Sequence, residues 1–352
     1  MQSAAKELEM KAVVYKKKGE VALENVADPR IEHPTDAIIK ITTAAICASD
    51  LHIKNEVPWP SGKIMGHEYC GEVVATGSQV SYLKKGDRVA GHPIANCGSC
   101  YFCQRRQQSL CANAGITGGA DGSGSIGVQA EYARIPYADN TLDKIPDGLE
   151  YEAVIFTGDI LSTGFSGLLN TNVGFGDSVA IFGCGPVGLC AAACAPLFGA
   201  GLVIAVSRSG NKLDLARQFG AVTIDAGKED TVARIMELTG GIGVDAGIEA
   251  AGTETTMRQC LKATRRGGRV SVLGTVHKPF LFDLQERFFD MFNLNIGLGD
   301  QNYTKELMQL IKQGKLDVKP LITHTLPLAQ AMRGYEIFEK KLENCIKVLL
   351  KP

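Results

Sequence analysis

At 352 residues the chain is long for one hydrophobic core and reads as two domains, and its formal net charge of −1 leaves no large basic surface. The basic clusters at 16–18, 105–106 and 265–266 are short and scattered, which argues against nucleic acid or an anionic membrane as partner. The opening segment MQSAAKELEMK has no apolar signal core, so the eleven cysteines are expected in a reducing cytoplasm.

The first 150 or so residues alternate short apolar runs with glycine and proline, at 12–15, 37–41 and 71–75, and again at 87–90 and 130–133. That pattern predicts a β-rich domain. Between the later runs stand Cys97, Cys100, Cys103 and Cys111 in a C-x2-C-x2-C-x7-C series. Four thiolates on short loops form a closed tetrahedral zinc site, and Gly98 supplies local backbone freedom. An iron–sulfur cluster is the rival reading, although ferredoxin runs continue with C-x3-C-P. Separate buried thiols or a redox pair are the remaining alternatives.

From about residue 162 strands alternate with helices, the signature of a doubly wound parallel sheet. Residues 178–206 carry no charge and are long enough on paper to cross a bilayer, but glycines and prolines divide them into strand 179–182, helix 187–198 and strand 202–206. Strands at 222–224, 244–248 and 269–273 follow, with helices at 230–238 and 253–264 between them. A helix at 304–313 and a closing strand at 346–350 complete the pattern.

Gly183-x-Gly185-x-x-Gly188, with Pro186 and Val187 inside it, follows one of these strands and opens a helix. In that context the glycines serve a tight turn, approach of backbone N–H groups to a pyrophosphate, and close helix–strand packing. The next strand ends at Ser207 and Arg208, where an NAD-preferring fold places an acidic residue for the ribose 2′-OH. With the acid absent and Arg208 adjacent, NADP(H) is favoured, and Lys212 is a weaker second cation. One charge-assisted hydrogen bond contributes about 1.5–3 kcal/mol, enough to shift the preference roughly tenfold to a hundredfold.

Cys47, His67 with Glu68, and Asp159 are too far apart for spacing to unite them. Taken singly, Cys47 reads as a small buried hydrophobe and His67 as a satisfied core histidine. Taken with the other motifs, the chain resembles the zinc-dependent medium-chain alcohol dehydrogenases from end to end. The resemblance rests on Cys47-x-Ser49-Asp50-x-His52, Gly66-His67-Glu68-x-x-Gly71, Gly86-Asp87-Arg88-Val89, the four-cysteine series and the glycine motif, in that order. The run from Asp159 to Phe165 resembles the secondary-alcohol branch, which carries an aspartate as third zinc ligand, although many of those enzymes lack the lobe cysteines retained here.

The resemblance implies a GroES-like catalytic domain at 1–161 with a zinc lobe at 93–115, a Rossmann domain at 162–300, and a return to the catalytic domain at 301–352. It implies two zinc ions per chain. Cys47, His67 and Asp159 would hold the catalytic ion, Glu68 would orient the ligands or transiently approach the metal, and the lobe would hold a structural ion. By the zinc-alkoxide route, Ser49 would accept the alcohol proton and pass it toward a cofactor hydroxyl or His52, while Asp50 holds a histidine tautomer. Thr163, Ala251, Gly274 and Lys340 are placed as further cofactor contacts, and Trp59 and Phe165 as pocket walls. The expected activity is hydride exchange between NADP(H) and a secondary alcohol or ketone, in a cytoplasmic homotetramer, with a homodimer as the alternative. Aldehydes, primary alcohols, polyols and threonine are the alternative substrates, and a zinc- and nucleotide-binding sensor is the non-enzymatic one.

Overall fold

A computed structural model of the chain describes residues 9–113, 127–276, 278–282 and 284–352. Met1 to Leu8 of the opening segment, and residues 114–115 of the expected lobe, lie outside the described residues. Two compact units emerge. The first comprises Met1–Asp159, Gln301–Lys315 and Ile322–Pro352, and the second Ile160–Asp300 and Leu316–Leu321.

The first unit begins with an antiparallel hairpin, β1 (Glu9–Lys17) and β2 (Glu20–Ala27), turned at Gly19 with φ +84. Then come β3 (Ala37–Ile46), helix α1 (Ala48–Asn55), β4 (Glu68–Thr76), β5 (Arg88–Gly91), β6 (Tyr132–Ile135) and β7 (Leu142–Lys144). The second unit holds α2 (Ile160–Asn170), β8 (Ser178–Phe182), α3 (Pro186–Cys194), β9 (Leu202–Ser207), α4 (Gly210–Gln218), β10 (Val222–Asp225), α5 (Thr231–Leu238), β11 (Val244–Glu249), α6 (Glu254–Ala263), β12 (Thr264–Val272) and β13 (Asn293–Ile296). The chain re-enters the first unit through α7 (Thr304–Lys312), β14 (Ile322–Pro327), α8 (Ala331–Lys340) and β15 (Lys347–Lys351).

In the first unit β14, β15, β3, β4, β5 and β7 lie side by side, with β6 also paired to β3. The returning β15 sits inside this sheet, antiparallel to β3 with Val348 opposite Ile46. Ile39, Ile41, Tyr69, Val73, Val89 and Leu142 fill one core of this unit. The second unit is a six-stranded parallel sheet in the order β10-β9-β8-β11-β12-β13. The order reverses between β8 and β11, and such a switch point opens a crevice at the carboxyl ends of the strands. Covered on both faces, β8 and β9 are uncharged and almost wholly buried, which accounts for the charge-free stretch. No helix among the described residues is long and apolar enough to cross a membrane.

Several bounds differ from the sequence pattern. The helix expected at 187–198 is α-helical only to Cys194 and finishes as a 3-10 turn, because Pro196 has no N–H to donate. The strand expected at 130–133 begins two residues later, Ala130 making only an isolated bridge to Ala12. Helices α1, α2, α4 and α8 and strands β2, β7, β13 and β14 have no counterpart among the predicted elements. Helix α4 buries only Leu213, Leu215 and Ala216 in an otherwise polar sequence, and β13 is mostly exposed, so neither gives a strong period.

Asp245 staples the second unit internally. Its carboxylate accepts from the Ser178 amide at 2.8 Å, the Ser178 hydroxyl at 2.7 Å and Arg265 Nε at 2.7 Å. Burial pushes its pKa up, but these donors outweigh burial and bring it down to about 2. Against an unfolded value of about 3.9, this stabilisation is full above that pH and is lost as pH falls toward 2. Asp245→Asn should therefore lower unfolding stability by about 1–2 kcal/mol at pH 7, and the deficit should close between pH 4 and pH 2 in denaturant titrations.

Candidate active site

Strand β3 ends at Ile46, and Cys47 takes up the extended N-cap position of α1. The Cys47 amide donates to Asp50 Oδ2 at 2.9 Å, so the capping box that starts the helix also fixes the cysteine. Gly66, at φ +89, turns the chain into His67 and β4. His67 Nδ1 lies 3.4 Å from Asp50 Oδ1. A carboxylate only accepts, so Asp50 favours the hydrogen on Nδ1, and a metal on the opposite side would take the Nε2 lone pair. There Nε2 meets Ser49 Oγ at 3.0 Å and Asp159 Oδ2 at 3.3 Å.

Asp159 is delivered by a loop with little freedom. A Cβ on Gly158 would come within 2.0 Å of the Gly91 carbonyl oxygen, and the Thr157 carbonyl accepts from Thr304 Oγ1 at 3.2 Å. Cys47 Sγ then stands 3.9 Å from Asp159 Oδ2. Zinc bonds of about 2.0–2.3 Å to N, O and S imply tetrahedral edges of about 3.3–3.8 Å, and the donor set fits them. Cys47, His67, Glu68 and Asp159 each bring a ligand atom within 4.8 Å of the others.

Electrostatics favour a cation here. Burial opposes charge on His67, but Asp50 and then Asp159 outweigh it and raise its pKa well above the usual value. Burial pushes Asp159 up, and His67 more than offsets this, leaving it below the usual carboxylate range. Burial raises the Cys47 thiol. Glu68 is buried and ion-paired at 2.5 Å to Lys347 Nζ, which also donates to the Ile46 carbonyl at 2.9 Å. Burial pushes Glu68 up to about 7 against the pull of Lys347, and Oε2 has no hydrogen-bond donor among the described residues.

The four-cysteine lobe belongs to the same unit. Cys111 Sγ lies 3.6 Å from Cys97 Sγ and 4.0 Å from Cys100 Sγ, and all four thiols are free. The sulfur separations exceed a disulfide bond and suit the edges of a Zn–S4 tetrahedron, about 3.8 Å. Burial raises Cys97, yet N–H and O–H donors from Ser99 outweigh it and bring the thiol down to about 6.

In the second unit the glycine motif joins β8 to α3. A Cβ on Gly183 would strike Ala251 at 2.7 Å, and one on Gly188 the Gly183 carbonyl oxygen at 1.9 Å. Around Gly185, the N-cap of α3, a Cβ would meet nothing within 4 Å. The cradle over Gly185 and the helix N-terminus behind it, with Pro186 and Val187 in the first turn, fit a pyrophosphate. Ser207 ends β9 and its hydroxyl accepts from the Ser209 amide at 3.2 Å. Arg208 is exposed with no ion-pair partner among the described residues, and burial raises the Cys184 thiol in the turn to about 12 against the pull of nearby Lys212. Ala251 and Gly274 share the rim, where Glu249 accepts from the Ala251 and Gly252 amides at 3.0 Å.

The alcohol dehydrogenase GroES-like domain profile matches residues 33–147, and the zinc-binding dehydrogenase profile matches residues 186–313. An alcohol dehydrogenase of Cupriavidus necator is 35% identical over 97% of this chain and 99% of its own. The chain belongs to the zinc-dependent medium-chain alcohol dehydrogenase family. An L-threonine 3-dehydrogenase of Bacillus licheniformis is 33% identical over 97% of this chain and 99% of its own. Among solved structures, the alcohol dehydrogenase TADH from Thermus sp. ATN1 has a TM-score of 0.92 at 38% identity, covering 97% of this chain and 99% of its own. The protein is thus a zinc-dependent, alcohol dehydrogenase-type oxidoreductase.

Other expected residues of the dehydrogenase fall in more ordinary surroundings. His52 sits one turn beyond Ser49 on α1, with Nδ1 3.0 Å from Glu56. Lys340 is ion-paired with Glu336 at 2.9 Å on the exposed face of α8. Thr163 is half-buried on α2, packed against Gly299. Trp59 packs on a core of Val13, Ile46 and Met65 in the first unit, while the Phe165 ring meets Phe198, 4.9 Å away, in the second.

Lys347 and Glu249 escaped the sequence reading. The signal for Lys347 is a lysine inside the apolar run 346–350, where a central strand has no room for a free charge. Lys347→Met should cost about 3–5 kcal/mol in chemical denaturation, because it strands the Glu68 carboxylate. Adding Glu68→Gln to that variant should recover part of the loss.

Proposed function

We propose that the protein is an NADP(H)-dependent dehydrogenase of secondary alcohols and reductase of the corresponding ketones. The observation that carries this reading is the convergence of Cys47 Sγ, His67 Nε2 and Asp159 Oδ2, with Ser49 Oγ 3.0 Å from the same imidazole nitrogen. Three protein ligands suit a catalytic zinc, whereas Cys97, Cys100, Cys103 and Cys111 make a closed set suited to a structural one. Bound zinc supplies the Lewis acidity that lowers an alcohol's pKa, and bound nicotinamide supplies the hydride acceptor.

The chain's own groups do the rest. Ser49, at the start of α1, takes the alcohol proton and hands it toward His52 or a cofactor hydroxyl. Asp50 keeps His67 in its Nδ1–H form. Glu68, drawn back by Lys347, orients the ligand set. The catalytic domain in this reading is 1–161 completed by the 301–352 return, with the cofactor held by 162–300.

Ser207 in place of an acid, with Arg208 and Lys212 nearby, supports NADP(H) over NAD(H). Thr163, Ala251, Gly274 and Lys340 are proposed as additional cofactor contacts. Exposed Leu281, Phe288, Phe289 and Met291 in the segment before edge strand β13 favour self-association, as a homotetramer or a homodimer, in the cytoplasm. The threonine dehydrogenase relative keeps threonine as the second candidate substrate.

Wild-type protein should contain two zinc ions per chain. Cys47→Ala should lose one of them together with turnover, and Cys103→Ala the other with mainly a loss of stability, as read by metal analysis and a panel of alcohols and carbonyls. Wild-type activity with a single zinc would sink the lobe assignment, and faster turnover of threonine than of simple secondary alcohols would favour the second substrate. Ser207→Asp with Arg208→Ala should reduce the NADPH to NADH ratio of kcat/KM by about tenfold to a hundredfold. An unchanged ratio would refute the cofactor assignment.

A further inference from the structure

Asp50 is gripped from behind by two residues outside every motif. Gln129, fully buried, donates from Nε2 to Asp50 Oδ2 at 3.0 Å and to the Ala45 carbonyl at 3.3 Å. Its Oε1 accepts from the Tyr335 hydroxyl of α8 at 2.8 Å. Asp50 and the Ala45 carbonyl can only accept, so the amide has one workable orientation, and the tyrosine must be the donor. An apolar side chain would occupy this fully buried position without the desolvation that a buried amide incurs. The amide's side-chain bonds run instead to Asp50, to the end of the strand that delivers Cys47, and to Tyr335.

The effect is to immobilise a carboxylate. Asp50 Oδ2 receives two donors, the Cys47 amide at 2.9 Å and Gln129 Nε2, which leaves Oδ1 to face His67 Nδ1. With only the Cys47 amide on Oδ2, the group would retain freedom about its terminal torsion, and with it the imidazole. Gln129 also braces the His67 side directly: a Cβ on Gly66 would fall 2.4 Å from Gln129 Cγ, and the Gln129 backbone N–H donates to the Met65 carbonyl at 2.9 Å.

We propose that Gln129, fixed by Tyr335, is a positioning residue for the catalytic metal, acting through Asp50 on Cys47 and His67 together. This rests on the reading of Cys47, His67 and Asp159 as the zinc ligands. The test is Zn2+ affinity of that site by chelator competition in full-length protein with the lobe loaded, together with the thiolate-to-metal absorption of the Co2+-substituted site. Gln129→Met, similar in length but unable to bond Asp50, should weaken Zn2+ binding about tenfold and alter the Co2+ band, and Tyr335→Phe should weaken binding about threefold. In an Asp50→Asn background, Gln129→Met should add little, since its route is already cut.

Wild-type affinity in Gln129→Met, or the same loss repeated in the Asp50→Asn background, would overturn the proposal. Should Gln129→Met not fold, Tyr335→Phe decides alone, because it deletes only a hydroxyl, and unchanged affinity there would overturn the proposal. Cys47→Ala and Asp159→Ala measured alongside must abolish the binding being titrated. If they do not, the ligand assignment has failed; if they do while Gln129→Met binds normally, only the positioning role has.

Discussion

A lysine with no exposed surface is tolerated only where an anion and further acceptors meet its ammonium, and in this protein Lys347 makes that demand on the centre of the first unit. Glu68 and the Ile46 carbonyl answer it. The pairing requires β15 to lie on β3 with Val348 against Ile46, and β3 to lie on β4 with Ala45 against Glu68. Ile46 leads directly into Cys47, and Glu68 follows His67, so the register that satisfies the buried pair also brings two ligand positions together. With Cys47 deprotonated, as a metal ligand must be, its thiolate and the carboxylates of Glu68 and Asp159 would set three negative charges against the Lys347 ammonium. A divalent cation would balance those three groups and the lysine.

The two candidate metal sites reach similar donor geometry by opposite routes. In the lobe, all four cysteines lie within residues 97–111 and short turns suffice, including Gly98 with φ +70 and Arg106 with φ +58. The other set is assembled from a helix cap, a strand entrance and a loop pressed against Gly91, each held by its own neighbours. The first kind of site shapes its own loop when filled. The second inherits its shape from the sheet around it.

That difference decides what could be read from the sequence. The four-cysteine series and the glycine motif were legible because their geometry is local: three glycines, each answering a different backbone or ligand constraint, need only a strand before and a helix after. The parallel sheet was legible from uncharged runs such as β8 and β9, which only burial on both faces explains. Cys47, His67 and Asp159 became a set only through resemblance to a family, since nothing in their spacing reveals the loop contacts that gather them. Lys347 was visible as an oddity in an apolar strand, but its partner lies on β4, far away along the chain. Gln129 gave no signal, because a lone polar residue at a strand entrance looks the same whether it faces solvent or a buried carboxylate. Edge strand β13 and helix α4 were missed for the complementary reason, too little burial to leave a period.

Because β15 lies inside the sheet, the catalytic unit is closed by residues made long after those it encloses. On the ribosome the β3–β4 region, Cys47 and the His67–Glu68 pair all emerge before Lys347 and Tyr335 exist. During that interval Glu68 has no lysine and Gln129 no tyrosine, so neither side chain has its full set of partners until α8 and β15 follow the second unit. The four-cysteine loop has no such wait. A metal ion on the lobe would therefore be free to bind co-translationally, whereas one held by Cys47, His67 and Asp159 would meet its finished surroundings only after the return strand has docked.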